Sequence, residues 1–138
     1  MPTLNETPST VPLWGGWTID LPLAYYERNE DGSWAAWGED WAVDVTIIEI
    51  GGNAHGHPVL AEELLGPERP VTIAGQGWVG SHHVIEEQDQ GAAVFRLTSW
   101  LAAINTMCSC WVSVRHRERL GFAESLVLGV THAPPSAA

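Results

Sequence analysis

The chain contains no lysine: its 138 residues carry six basic side chains, all arginine, against seventeen Asp and Glu, a formal net charge of −11. That balance excludes a surface built for nonspecific contact with a phosphate backbone, so no nucleic-acid partner is expected. Long apolar runs are also missing, since no stretch approaches the roughly eighteen consecutive apolar residues of a membrane helix. The opening residues, with Asn5, Glu6, Pro8 and Pro12, lack the basic start and apolar core of a signal peptide. The expectation is a cytoplasmic protein without a membrane partner. Cysteine is scarce as well. Only Cys108 and Cys110 occur, and their i, i+2 spacing would strain a mutual disulfide, which excludes a disulfide framework. No Gly-x-Ser-x-Gly elbow, phosphate loop, dinucleotide fingerprint or internal repeat is present, and no cofactor is expected.

What the chain does have is apolar material, 45% of its residues, enough for one buried core at this length. Residues 1–13, rich in Pro, Thr and Ser, read as a flexible leader, 14–132 as a single domain, and 133–138 as a flexible tail. Residues 1–90 hold fifteen acids and two Arg, and 91–138 hold two acids and four Arg, so the acidic surface belongs to the first part.

Within the body, Trp17, Ile19 and Leu21 alternate with Thr18 and Asp20 up to Pro22, the pattern of a half-buried strand. The runs Tyr25–Asn29 and Ser33–Trp37 flank Asp31 and Gly32, a hairpin signal, and Trp41–Ile50 adds a long strand stopped by Gly51, Gly52 and Asn53. These read as a four-strand meander. The segment Pro58–Leu65 has helical spacing, a proline for its first turn and Gly66 after its end. A second meander follows, with strands over Val71–Ile73, Trp78–Glu87, Ala92–Leu101 and Thr106–His116. The stripe Phe122, Leu126, Val130 with Ala123 and Val127 predicts a closing amphipathic helix over Glu118–Val130.

The order strands, short helix, strands, long helix is similar to the Mog1/PsbP-like proteins, including the bacterial DcrB-like ones. The resemblance is carried by the opening strand ending in Leu21–Pro22, the helix Pro58–Leu65 after a long strand, and the closing helix around Phe122–Val130, and it covers roughly residues 14–132. It implies an α+β fold, an antiparallel sheet covered by helices in an αβα sandwich. Members of this family share a scaffold more than a chemistry, so it implies no activity.

Five candidate sites stand out. His55 and His57 in a Gly-rich loop, with one of the adjacent pair His82 and His83, have the residue type of a borderline-metal site, although adjacent strand residues face opposite ways and no closing Cys or His pair follows. Cys108 and Cys110 share parity with Val112 and Val114, which favours core packing over nucleophilic chemistry. The pairs Glu39–Asp40, Glu62–Glu63 and Glu86–Glu87 read as solvated surface. Arg115, Arg117 and Arg119, with His116, form the one basic cluster, suited to an anionic ligand or more simply to pairing with acids of the first part. Eight tryptophans are many for this length, and Trp34, Trp37 and Trp41 crowd a polar turn, as interface anchors do.

The reading is a non-catalytic domain that binds a protein partner or forms a homodimer through Trp34, Trp37, Trp41 and the arginine cluster. A toxin-neutralising or secretion-accessory role suits it. Two alternatives are a metal-dependent hydrolase using His55, His57 and His82 or His83, and a carrier of a small apolar ligand lodged between sheet and helix.

Overall fold

The computed structural model describes residues 3–30, 32–50 and 56–133. Gly51, Gly52, Asn53 and His55 therefore lie outside the described residues, as does 134–138 of the expected tail. The strands are β1 (Thr3–Asn5), β2 (Ser9–Pro12), β3 (Trp17–Leu21), β4 (Tyr25–Glu30), β5 (Ser33–Trp37), β6 (Trp41–Glu49), β7 (Ile73–Gly75), β8 (Trp78–Asp89), β9 (Ala92–Ala103), β10 (Thr106–Val114) and β11 (Val130–His132). Between them lie the helices α1 (Ala61–Leu65) and α2 (Leu120–Leu128), the second preceded by a 3-10 turn at Arg117–Arg119.

Eight strands form one sheet in the order β1-β4-β5-β6-β10-β9-β8-β7, and β11-β3-β2 form a second. The second expected meander, β7 to β10, is present, and three of the four strands of the first, β4 to β6, run together. They are joined through the middle, where β6 pairs antiparallel with β10 from Trp41↔Val114 to Glu49↔Thr106. The turn between β8 and β9 places Gln90 and Gly91 at positive φ, which matches the twist of a tight hairpin.

Alternation along each strand decides the core. One face of the large sheet turns Trp34, Trp41, Val43, Val45, Leu97, Leu101, Cys108, Cys110, Val112 and Val114 inward. Trp17, Ile19 and Leu21 of β3 cover it together with Ala123, Leu126 and Val127 of α2. On the opposite face a smaller cluster forms where Leu65 of α1 packs on Ala102 and Met107. The rest of that face is open, leaving Tyr26, Ile48 and Trp111 exposed.

The αβα sandwich and the α+β class expected from the sequence are not the architecture. The protein is β-rich, and its core is closed mainly by a second sheet, with helices of only five and nine residues. Three local features account for this. The opening strand β3 leaves the first meander and pairs with β2 and β11. The stripe that continues to Val130 is cut at Gly129, after which Val130, Thr131 and His132 return along β3 as a strand, with Gly129 O accepting Asp20 N–H at 3.1 Å. β1 and β2 lie inside the stretch read as a leader, paired to β4 and β3. Helix α1 also begins three residues after Pro58. Val59 is held extended by Asn105, whose side-chain oxygen accepts its N–H (2.7 Å) and whose N–H donates to its carbonyl (3.0 Å).

Candidate functional site

A cavity of about 830 Å³ opens at one end of the large sheet beside α1. Six chain segments meet there: the Gly15–Gly16 turn before β3, the end of β6, the start of α1, the start of β8, the turn joining β9 to β10, and the end of β11. Asn105 sits in that turn at φ 63, a conformation asparagine tolerates. Besides clamping Val59, its carbonyl accepts Ile50 N–H at 2.7 Å, so one residue fixes both the end of β6 and the approach to α1.

The walls are apolar, with Ile50, Trp78, Val79, Ala102, Ala103 and Ile104 on the sheet side and Ala61 from α1. The indole N–H groups near the cavity are satisfied within the protein. Trp78 Nε1–H donates to Val130 O (2.7 Å), and Trp17 Nε1–H to Thr106 Oγ1 (2.9 Å). Polar groups come from Glu49, Glu62 and His132. The His132 ring lies tilted on Trp17 at 4.7 Å, and its Nε2 is 3.1 Å from Gly15 O. A carbonyl has no proton to give, so Nε2 is the donor.

Glycine is required at this end. Gly15 has φ 63, and a Cβ there would fall 1.5 Å from Glu49 Oε1; Gly77 has φ 86, and its Cβ would fall 2.0 Å from His132 O. The Glu49 carboxylate and the His132 imidazole thus share Gly15 as a neighbour. The one hydroxyl on the wall, Thr106, is occupied by the Trp17 indole. The arrangement is equipped to enclose an apolar body and to meet a polar end with acceptors.

Apart from Glu62, the residues singled out by sequence are placed elsewhere. Trp34 and Trp41 are buried, Trp34 Nε1–H donating to Glu27 Oε2 at 2.8 Å and Trp41 meeting Phe122 edge-on at 5.7 Å. Trp37 turns to the open face and stacks on Tyr26 at 6.1 Å. Arg117 pairs with Glu86 at 3.1 Å and Arg119 with Asp40 at 3.6 Å, both acids of the first part, while Arg115 is exposed. Arg115 lines one shallow pocket with Trp37 and Trp41, and Arg119 reaches Asp40 of the same pocket, whereas Trp34 is buried away from it.

The histidines do not assemble either. His82 shares a face of β8 with Trp78, whereas His83 looks to the open face beside Thr98. Thr72 Oγ1 accepts the His82 backbone N–H (2.9 Å) and shares a second hydrogen bond with His82 Nδ1 (2.7 Å). Among the described residues no three His, Cys, Asp or Glu side chains are grouped to hold a metal; His57 is exposed and His55 lies outside them. Cys108 and Cys110 are free and buried. Burial pushes the Cys108 thiol well above its ordinary value, with Cys110 adding to the effect. Cys110 is pushed up to about 12, burial outweighing the Ser99 hydroxyl that lowers it, and Asp44 adding.

Sequence reasoning missed Glu49, His132, Asn105 and the glycines as site residues. The available signal was the placement of Gly15–Gly16 and Gly75-Gln76-Gly77 immediately before Trp17 and Trp78. No described helix is long and apolar enough to cross a membrane.

No family model and no curated protein matches the chain. A crystal structure of a protein from Bacteroides thetaiotaomicron VPI-5482, at 1.50 Å resolution, is similar to it, with a TM-score of 0.68 and 14% identity. The likeness covers 94% of this chain and 49% of the other, so the chain spans about half the length of that protein. At this identity what the two share is the fold of the matched part.

Proposed function

We propose that this domain is a non-catalytic binding module that holds a small, mostly apolar ligand in the cavity between α1 and the sheet. The supporting observation is the size and lining of that cavity: about 830 Å³ walled by Ile50, Trp78, Val79, Ala103 and Ile104, with few polar groups. Volumes of roughly 300–1,000 Å³ with such linings are typical of small-molecule sites. Titration with the neutral dye N-phenyl-1-naphthylamine tests it. Saturable one-to-one binding is expected, lost in Ala61→Phe, which fills the cavity from α1, without a change in melting temperature. Absence of saturable binding by the parent protein contradicts the reading.

A second reading, docking of a protein partner or of a second copy, is favoured by the open sheet face. Tyr26, Ile48 and Trp111 are exposed there, and Trp37 and Trp100 are half-buried beside them. Such apolar surface on one sheet face is characteristic of interfaces. Toxin neutralisation or secretion assistance are contexts for that docking, and a cytoplasmic location accords with two buried free thiols.

A further inference from the structure

We infer that the ligand of this cavity is a cationic amphiphile, an amine with an apolar tail. The inference rests on the cavity reading above and names the ligand class. The cavity makes the site, and its charge decides the occupant. Its lining contains two carboxylates, Glu49 and Glu62, and neither Arg nor Lys. Neither carboxylate has a hydrogen bond or ion pair among the described residues.

The arginines are engaged elsewhere. Arg28 pairs with Glu30, Arg96 with Glu87, Arg117 with Glu86 and Arg119 with Asp40. Arg69 donates to the Leu64 and Leu65 carbonyls at the end of α1. Arg115 leaves the far end of β10, with its N–H on Asp40 O, away from the Thr106 end that lines the cavity. Among the described residues no arginine therefore faces the two carboxylates at the mouth, whose other ionisable lining group is His132, and the chain as a whole carries a net charge of −11. An anionic head would meet repulsion from both carboxylates. A neutral tail alone would leave them without a partner. An ammonium offers donors to acceptor-only groups while its chain lies against Trp78, Val79 and Ala103.

Octylamine, octanol and octanoate share one chain length and differ in head charge. Competition of each against N-phenyl-1-naphthylamine, at low and high salt, tests the inference. Exposed ion pairs are individually weak, so two carboxylates together predict that octylamine displaces the dye about tenfold better than octanol. Octanoate is weakest, and the differences narrow at high salt. Glu49→Gln combined with Glu62→Gln should bring the amine down to the level of the alcohol, with an unchanged melting temperature reporting that the fold is intact. If octanol or octanoate displaces the dye as well as octylamine, or if the double variant keeps the preference, the amine inference is overturned and the apolar cavity stands. If the parent protein binds neither the dye nor any of the three, the cavity reading itself fails.

Discussion

Cys110 shows how a residue's environment becomes a stability statement. Its thiol is buried in the core and held protonated up to about 12, and Cys108 shifts in the same direction. A folded-state value above the unfolded one means that the folded chain binds the proton more tightly. The stabilisation is therefore complete below the ordinary thiol value of 9.0 and is lost as pH rises from there toward 12. Urea midpoints across that window should fall steadily, and the fall should shrink in a Cys108→Ala, Cys110→Ala double variant. A midpoint that stays flat to pH 12 would contradict the burial of the two thiols. Native labelling by a thiol reagent at pH 8 should likewise be slow, since thiolate is scarce and the core must open first. At this scale the sequence was a good guide. The shared parity of Cys108, Cys110, Val112 and Val114 pointed to the core, and that is where they lie. Trp34 and Trp37 differ in strand parity, and burial shows that Trp34 is the one facing inward.

At the scale of elements, β3 to β6 and β8 to β10 were legible within a few residues because period-two alternation and turn chemistry agree there. The closing element was not. Its spacing of Phe122, Leu126 and Val130 satisfies a helix, yet Val130 belongs to β11, and only pairing with Ile19 over a long sequence distance reveals it. Helix α2 still covers part of the core. Leu126 is 1% exposed whereas Phe122 is half-buried against Trp41. Leu126→Ala should therefore cost about 2–5 kcal/mol and Phe122→Ala visibly less, as read from chemical denaturation. Equal costs, or a neutral Leu126→Ala, would mean that α2 is peripheral.

For the whole molecule, assembly of the large sheet through β6 and β10 decides what sequence alone could not. The cavity is lined by residues from Gly15 to His132 that approach one another only after that pairing and the pairing of β11 with β3 are made. No local motif encodes it. The same assembly sorts the three clustered tryptophans. Trp34→Arg and Trp41→Arg place a charge in the core and should abolish folding. Trp37→Arg, together with Trp111→Arg on the same open face, should leave the melting temperature within a few degrees of the parent. Light scattering of those two variants then reads the surface: loss of a dimer that the parent forms supports self-association on that face, and an unchanged mass removes it.

The central claim is that the end of the sheet beside α1 encloses a ligand. It is tested most directly by following backbone amide resonances during titration with N-phenyl-1-naphthylamine. Shifts concentrated on Trp78, Val79, Ala102, Ala103 and Ile104, saturating together, are the predicted result. Saturating shifts centred instead on Trp100 and Trp111 of the open face, or no saturable shifts at all, would contradict it.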